Sequence, residues 1–386
     1  MPAPQHSVAP PPALDLDDVL DTAEIVVCCG SGGVGKTTTA AALALRAAER
    51  GRRTVVLTID PARRLAQSMG LQELDNVPRA VQGVSGDLDA MMLDMKRTFD
   101  EIVLEHAEPA KAQQILANPF YQALSSSFAG TQEYMAMEKL GQLKATGDYD
   151  LVVVDTPPTR SALDFLDAPE RLSTFLDGRL VKVLLAPAKA GGRAYLKVFG
   201  VFTNAISRII GAAFLQDVSQ FVGAMETMFG GFRERAQGTY DLLKDPGTAF
   251  VVVATPEPDA LREASYFVER LAAEEMPLAG LVINRVHRTA ASGLSASRAL
   301  SAAEALDDDA LAAGVLRLHA ERTVLVAREE HLTERFTGAH PGVPVASVAA
   351  QPGDVHDLEG LRRVGDDLSA GGRSTPARQR TGAPRR

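Results

Sequence analysis

Short apolar runs, each closed by a polar or turn-forming residue, alternate along this chain with longer helix-favouring stretches. The first run is Glu24-Ile25-Val26-Val27-Cys28-Cys29, followed by a glycine-rich turn and the helix-favouring Thr38-Thr39-Ala40-Ala41-Ala42-Leu43-Ala44-Leu45-Arg46. Thr54 to Ile59 ends at Asp60-Pro61, Ala90 to Leu93 ends at Asp94, and Leu151-Val152-Val153-Val154 ends at Asp155-Thr156-Pro157-Pro158. Phe250 to Ala254, Leu278 to Ile283 (closed by Asn284-Arg285) and Val343 to Val348 complete the set. Continuous apolar runs separated by helices predict parallel strands covered on both faces, an α/β doubly wound, mostly parallel sheet. Ligands of such sheets sit at the C-terminal ends of the strands. Asp60, Asp94, Asp155 and Asn284 all fall there.

Two stretches break the alternation, about 96–144 and 179–245. Both read as helical and neither holds a convincing strand, which predicts a helical subdomain inserted into the core. Within the second, Ile206, Ile210, Phe214, Val218, Phe221, Met225 and Phe229 recur every three or four residues as one apolar stripe, widened by Val222 and Met228. Two readings of that stripe stand open: the packed core of the subdomain, or a groove for a client's hydrophobic helix, to which flexible Met side chains adapt well.

Length, composition and charge narrow the class. With 386 residues, one large α/β domain carrying an insert is the natural arrangement. The expected layout is a disordered 1–20 segment, a domain over 21–368, and a disordered tail over 369–386 with five arginines. A net charge of -9 argues against a nucleic-acid partner, which requires surplus Lys and Arg. The Pro- and Ala-rich start lacks a basic segment and an apolar core, so it does not read as a signal peptide. Tyr195 to Leu215 is interrupted by Lys197, Asn204, Ser207 and Arg208 and is not expected to span a bilayer. The two cysteines are adjacent and on a strand, which fits core residues of a reducing compartment and leaves no ligands for a zinc clasp or iron–sulfur cluster. A cytoplasmic protein, with peripheral membrane attachment left open, is the expected setting.

The strongest chemical signal is Gly30-Ser31-Gly32-Gly33-Val34-Gly35-Lys36-Thr37-Thr38. A glycine-rich turn between strand and helix lets successive backbone N–H groups converge on a polyphosphate. This is a P-loop, with Gly32, Gly33, Val34, Gly35, Lys36, Thr37 and Thr38 as the nucleotide-binding set. Lys36 would neutralise the outer phosphates and the Thr37 hydroxyl would ligate magnesium. Asp155, ending a buried strand, fits the second magnesium-associated carboxylate of a P-loop ATPase. Asp60 fits a carboxylate that orients the attacking water, or a turn former before Pro61. Asn284 offers an amide to adenine's polar edge, or serves a turn alone.

These residues resemble the deviant-Walker P-loop ATPases. Gly-Gly-Val-Gly-Lys-Thr-Thr, Asp60-Pro61-Ala62, Asp155-Thr156-Pro157-Pro158-Thr159 and Asn284 are similar to motifs of the anion-transporting (arsenical pump-driving) ATPases and their relatives that target tail-anchored membrane proteins. Gly130-Thr131-Gln132-Glu133-Tyr134, Thr255-Pro256-Glu257 and Pro352-x-Asp354-Val355-x-Asp357-Leu358 resemble further landmarks, and the likeness to actinobacterial members runs from about Val26 to Leu361. The resemblance implies an ATP- and Mg2+-dependent dimer in which Lys36, Thr37 and Asp155 hold nucleotide and metal, Asp60 activates water and Asn284 reads adenine. It implies closure coupled to a hydrophobic or membrane-protein client. A slow-turnover scaffold subunit, or a partition- or positioning-type ATPase, is the alternative; the acidic chain and a tail without an amphipathic apolar face disfavour the latter. The chain departs from the pattern at Ser31, where the family carries a lysine reaching the partner's phosphates. That points to a hetero-oligomer with a paralogous subunit, or to a homodimer using another cation. The arsenite-binding cysteines and the zinc Cys-x-x-Cys have no counterparts, and Arg160 stands where targeting members commonly carry Gly.

Overall fold

The computed structural model describes residues 12–60, 64–119, 121–122, 125, 131–157, 234–235, 237–306 and 309–370. Eight strands form one sheet: β1 (Ile25–Cys29), β2 (Thr54–Thr58), β3 (Arg79–Ala80), β4 (Leu88–Met92), β5 (Leu151–Asp155), β6 (Thr248–Ala254), β7 (Leu278–Val286) and β8 (Val345–Ala349). Their order is β3-β4-β2-β5-β1-β6-β7-β8. Every pairing is parallel except β3 with β4. The strands β1, β2, β5 and β6 are buried at every position, which is why they read as unbroken apolar runs.

Chain connections leave β1 toward β2 on one side and β6 toward β7 on the other, so β1 and β6 flank the point where the winding reverses. Crevices at such points hold ligands. Helix α2 (Lys36–Glu49) leaves the C-terminal end of β1 and is almost wholly buried, as its run of alanines allows it to lie close against the sheet. Helix α3 is Arg64–Ser68.

The start of the chain departs from the expected disorder over 1–20. Residues 12–20 belong to the body: the Leu14 N–H donates to the Val345 carbonyl at 3.2 Å, and α1 (Leu16–Thr22) follows. Asp15 caps that helix by accepting from the Asp17 N–H at 3.0 Å. Leu14, Leu16 and Leu20 are buried in the main core, and Asp17 takes Arg46 of α2 at 2.5 Å. Three leucines spaced to bury together outweigh the Pro-rich lead-in.

Within 96–144 the described residues include α4 (Met95–His106), α5 (Pro109–Leu116) and α6 (Thr131–Thr146). Asp94 proves to be the N-cap of α4, accepting from the Arg97 N–H at 2.9 Å. Of 179–245 only the last residues are described, and 237–244 are helical. The apolar stripe from Ile206 to Phe229, like Arg160 and the tail beyond 370, lies outside the described residues. Beyond β6 come α7 (Pro258–Ala273), then α8 (Ala296–Glu304) packed on the long α9 (Ala310–Ala339), and α10 (Leu358–Ala370) packed on α2. No helix among the described residues is long and apolar enough to cross a membrane.

Candidate functional site

The loop after β1 is shaped by glycines that no other residue could replace. Gly30 has φ +147°, and a Cβ there would lie 2.1 Å from the Val253 carbonyl oxygen of β6. Gly35 has φ +96° and would drive a Cβ to within 2.2 Å of Asn284 Nδ2. Both angles fall in the region that L side chains avoid. The loop is therefore pressed between two strands and turned directly into α2, aiming its N–H groups outward at the helix N-terminus.

Lys36 opens that helix and is 5% exposed. Its Nζ donates to the Ser31 carbonyl at 2.8 Å, so the ammonium curls back over its own loop. Burial pushes the Lys36 amine down, and the Asp155, Cys29, Asp60 and Cys28 side chains oppose that shift.

Asp155 ends β5 with no exposure. Its Oδ2 accepts from the Thr37 hydroxyl at 2.8 Å and from the Thr58 hydroxyl at 2.9 Å, gathering β1's loop, β2 and β5 onto one carboxylate. Its Oδ1 is buried without a hydrogen-bond partner. Desolvation raises the carboxyl to about 6, against the hydrogen bonds from Thr37 and Thr58 and the charge of Lys36, with Asp60 adding to the rise. A buried carboxylate oxygen left over beside a threonine hydroxyl fits a hard divalent cation, and so does the all-oxygen donor set. The described residues contain no cluster of three His, Cys, Asp or Glu able to hold a metal, so Thr37 and Asp155 would share such an ion with phosphate oxygens.

Asp60 follows β2, where its N–H donates to Thr58 Oγ1 at 3.2 Å and its side chain lines the same cavity. Thr58 thus ties the Asp60 backbone to Asp155. No sequence motif singled it out, although a threonine between Leu57 and Ile59 in a buried strand was the available signal.

The cavity has a volume of about 1410 Å³. Its lining includes Gly33, Gly35, Lys36, Thr37, Thr38 and Asp60, together with Asn284, Arg285, His287 and residues after β8 such as Gln351. Asn284 stands inside β7, which runs to Val286 and so passes the end expected at Ile283. Its Nδ2 donates to the Val34 carbonyl at 2.8 Å, while its Oδ1 accepts from the Arg285 N–H at 2.9 Å. The amide thus clasps the phosphate-loop backbone. Gly32 to Thr38, Asp60, Asp155 and Asn284, predicted from four separate strands, lie together at the C-terminal ends of those strands.

Cys28 and Cys29 are fully buried on β1. Desolvation pushes both thiols up, Cys29 to about 12.

The sequence is similar to those of known proteins. Residues 23–305 match the family described as anion-transporting ATPase. "ATPase ARSA2" of Chlamydomonas reinhardtii is 33% identical over 279 residues, covering 70% of this chain and 70% of its own. "ATPase get3" of Sclerotinia sclerotiorum is 28% identical over 275 residues, 70% of this chain and 75% of its own. "ATPase ASNA1 homolog" of Cryptosporidium parvum is 28% identical over 268 residues, 69% and 66% of the two chains. A family match across well over half of the chain, including the P-loop at the winding reversal of a parallel sheet, identifies the protein as an ATP-hydrolysing enzyme. It belongs to the anion-transporting ATPase family.

Proposed function

We propose that this ATPase binds ATP with magnesium in the cavity above β1 and couples hydrolysis to closure of a dimer that handles a hydrophobic or membrane-protein client. The observation that carries the chemistry is the Asp155 carboxylate, which accepts from Thr37 and keeps one buried oxygen free of partners. Magnesium, when bound there, would neutralise phosphate charge and fix the phosphate chain in line for attack. The protein's own part is positional and electrostatic. The loop N–H groups cradle the phosphates, Lys36 swings from the Ser31 carbonyl to the outer phosphates, and Asp60 orients the attacking water. Asn284, tied to the loop through the Val34 carbonyl, is the residue offered to adenine's polar edge.

Support for a partner comes from two features. Ser31 supplies no charge where closure would call for one, and α9 leaves Leu311, Val315 and Leu318 79%, 58% and 65% exposed. Isolated exposed leucines are ordinary, but three spaced along one helical face invite coverage. The proposed assembly is a hetero-oligomer with a paralogous subunit, a homodimer being the other form. The test is phosphate release by the purified full chain with ATP, with and without magnesium, followed by native mass measurement and recovery of proteins bound to an ATP-trapped form. Magnesium-independent turnover would remove the site assignment. A monomer in the ATP-trapped state would remove the closure.

A further inference from the structure

Helix α9 inverts the usual arrangement of a surface helix. Its buried positions include the small Ala313 and Ala320, whereas the larger Leu311, Val315, Leu318 and Leu325 stand exposed. A surface helix ordinarily turns its large apolar residues to the core. Leucine recurs at every seventh position, Leu311, Leu318, Leu325 and Leu332, which keeps all four on one face, and Val315 falls on that face between the first two. Leu332 packs partly on the body's core, so the stripe is free over its first three leucines. Gly314 lies beside the stripe with open space where a Cβ would stand, so a second helix can approach closely. Two exposed charges, Glu321 and Arg322, interrupt the stripe at its middle. Arg322 Nε donates to the Arg288 carbonyl at 3.3 Å, and neither side chain is paired with an opposite charge among the described residues. None of these residues is among those lining the nucleotide cavity.

We propose that this face of α9 pairs with the same face of a second copy of this chain, the two helices running antiparallel about a two-fold axis between Glu321 and Arg322. The register selects the occupant. In a two-fold contact each residue meets a fixed counterpart, and that counterpart meets it in return. An axis at this point sets Leu318 opposite Leu325 of the second copy, and Leu311 opposite its Leu332. The same axis sets Glu321 opposite Arg322 of the second copy at two symmetric places, so every charge in the stripe meets its opposite. A parallel pairing in the same leucine register would bring Glu321 against Glu321 and Arg322 against Arg322, which repel. Burial of the leucines drives the association, and the central charges fix its direction and register. The pairing requires no nucleotide and leaves the cavity uncovered, so a paralogous subunit can still close there. The inference therefore stands apart from the ATP reading and goes beyond it by naming what covers α9.

Disulfide trapping of the full chain without nucleotide tests the register. The native thiols, Cys28 and Cys29, are buried, so Leu318→Cys and Leu325→Cys each add one accessible thiol. A disulfide needs Cα atoms within about 7 Å. In the antiparallel register Cys at 318 faces position 325 of the second copy, whereas two copies of position 318 lie about 10 Å apart along the axis. Mixing the two variants and oxidising mildly should give a covalent dimer, and either variant alone should give none. Cross-linking of Leu318→Cys by itself, or no cross-link in the mixture, would overturn the pairing. Sedimentation of the unmodified, nucleotide-free chain should show a dimer, and Leu318→Glu should weaken it at least about tenfold, as loss of a central contact does. Glu321→Arg should weaken it as well, and Glu321→Arg combined with Arg322→Glu should restore it, because the reversed charges are again complementary across the axis. All these positions are exposed, and each variant should unfold cooperatively at the temperature of the unmodified protein. A nucleotide-free chain that stays monomeric at micromolar concentration would overturn the proposal and leave this face to a paralogous subunit or a client, whatever the protein's affinity for ATP.

Discussion

Thr37 and Asp155, 118 positions apart, meet at 2.8 Å where the loop after β1 passes the end of β5. The parallel pairing of β1 with β5, Cys28 opposite Asp155, is what brings them together. The threonine hydroxyl can donate to the carboxylate or turn its lone pairs to a cation, and the carboxylate's second oxygen is already stripped of water and of partners.

The first prediction concerns what that arrangement does to stability before nucleotide arrives. Desolvation holds the Asp155 carboxyl at about 6, above its usual unfolded value near 3.9. A carboxyl raised by folding stabilises the folded state when protonated, and that contribution is lost as pH rises through about 6. The nucleotide-free chain should therefore gain up to about 2–3 kcal/mol from this group on going from pH 7 to pH 4. Asp155→Asn should remove that dependence and raise the melting temperature at pH 7 while abolishing magnesium-dependent turnover. Thermal unfolding of both proteins across that range is the measurement, and a melting temperature at pH 7 that falls on substitution would contradict it.

Much of this site was legible in advance because its residues sit at strand ends, where an apolar run stops at a polar residue. Asp60, Asp155 and the P-loop were placed that way, and so were the strands behind them. Asn284 was found in part: its strand continues past it, and its amide clasps Val34, a contact between segments 250 positions apart that no local pattern encodes. The contact of His287 with Glu329, whose Oε1 lies 2.6 Å from the ring Nδ1, left no trace, since a histidine after a strand and a glutamate in a long helix are each commonplace and only the packing of α9 brings them together. Residues 12–20 were misread for the opposite reason. Proline-rich composition spoke for disorder, whereas Leu14, Leu16 and Leu20 are buried in the core, Asp15 caps its own helix, and Val345 of β8 and Arg46 of α2 supply partners to Leu14 and Asp17. The long α9 carries too little contrast between its faces to announce how it packs.

Lys36→Ala should weaken binding of ATP with magnesium at least about tenfold, or 1.4 kcal/mol. The ammonium is the loop's only point charge, and it lies against the loop itself, donating to the Ser31 carbonyl at 2.8 Å. Calorimetric titration reads the effect directly. Affinity equal to that of the unmodified protein would move the phosphates elsewhere.

Asp60→Asn separates binding from chemistry. The side chain lines the cavity while its backbone is anchored to Thr58, so an isosteric amide should keep the loop's shape. ATP affinity is expected to hold within about threefold while single-turnover hydrolysis falls about a hundredfold, the usual cost of losing a general base. Unaltered hydrolysis would make Asp60 a turn residue.

Arsenite and antimonite should leave the ATPase rate unchanged. Soft metalloids bind clustered thiolates. Cys28 and Cys29 are the only thiols, neither is exposed, burial suppresses their ionisation, and neighbouring strand residues point to opposite faces. A dose-dependent rise in phosphate release with arsenite would reopen the assignment of cargo.

The last prediction follows from Ser31, which is partly exposed on the loop and whose carbonyl holds Lys36. Closure of two copies would bring serine to both sites, and serine cannot steady the charge that develops on the transferred phosphoryl group. Charge supplied in trans is a well-used device in phosphoryl transfer, worth several powers of ten in rate. A paralogous subunit carrying lysine at the matching position would restore it, whereas the isolated chain would turn over slowly. Ser31→Lys should then raise turnover of the isolated full chain at least about tenfold, with ATP affinity changed far less, because the added charge acts on the neighbouring subunit's transition state. A Lys36→Ala, Ser31→Lys chain mixed with an otherwise unmodified Ser31 chain gives the sharper reading. The first supplies a cation but no working site, and the second a site but no cation, so stimulation on mixing demonstrates action across the interface. Native mass measurement of the complex from its own cells completes the test. A homodimer already at full activity, and unresponsive to Ser31→Lys, would show that another cation of this chain does the work.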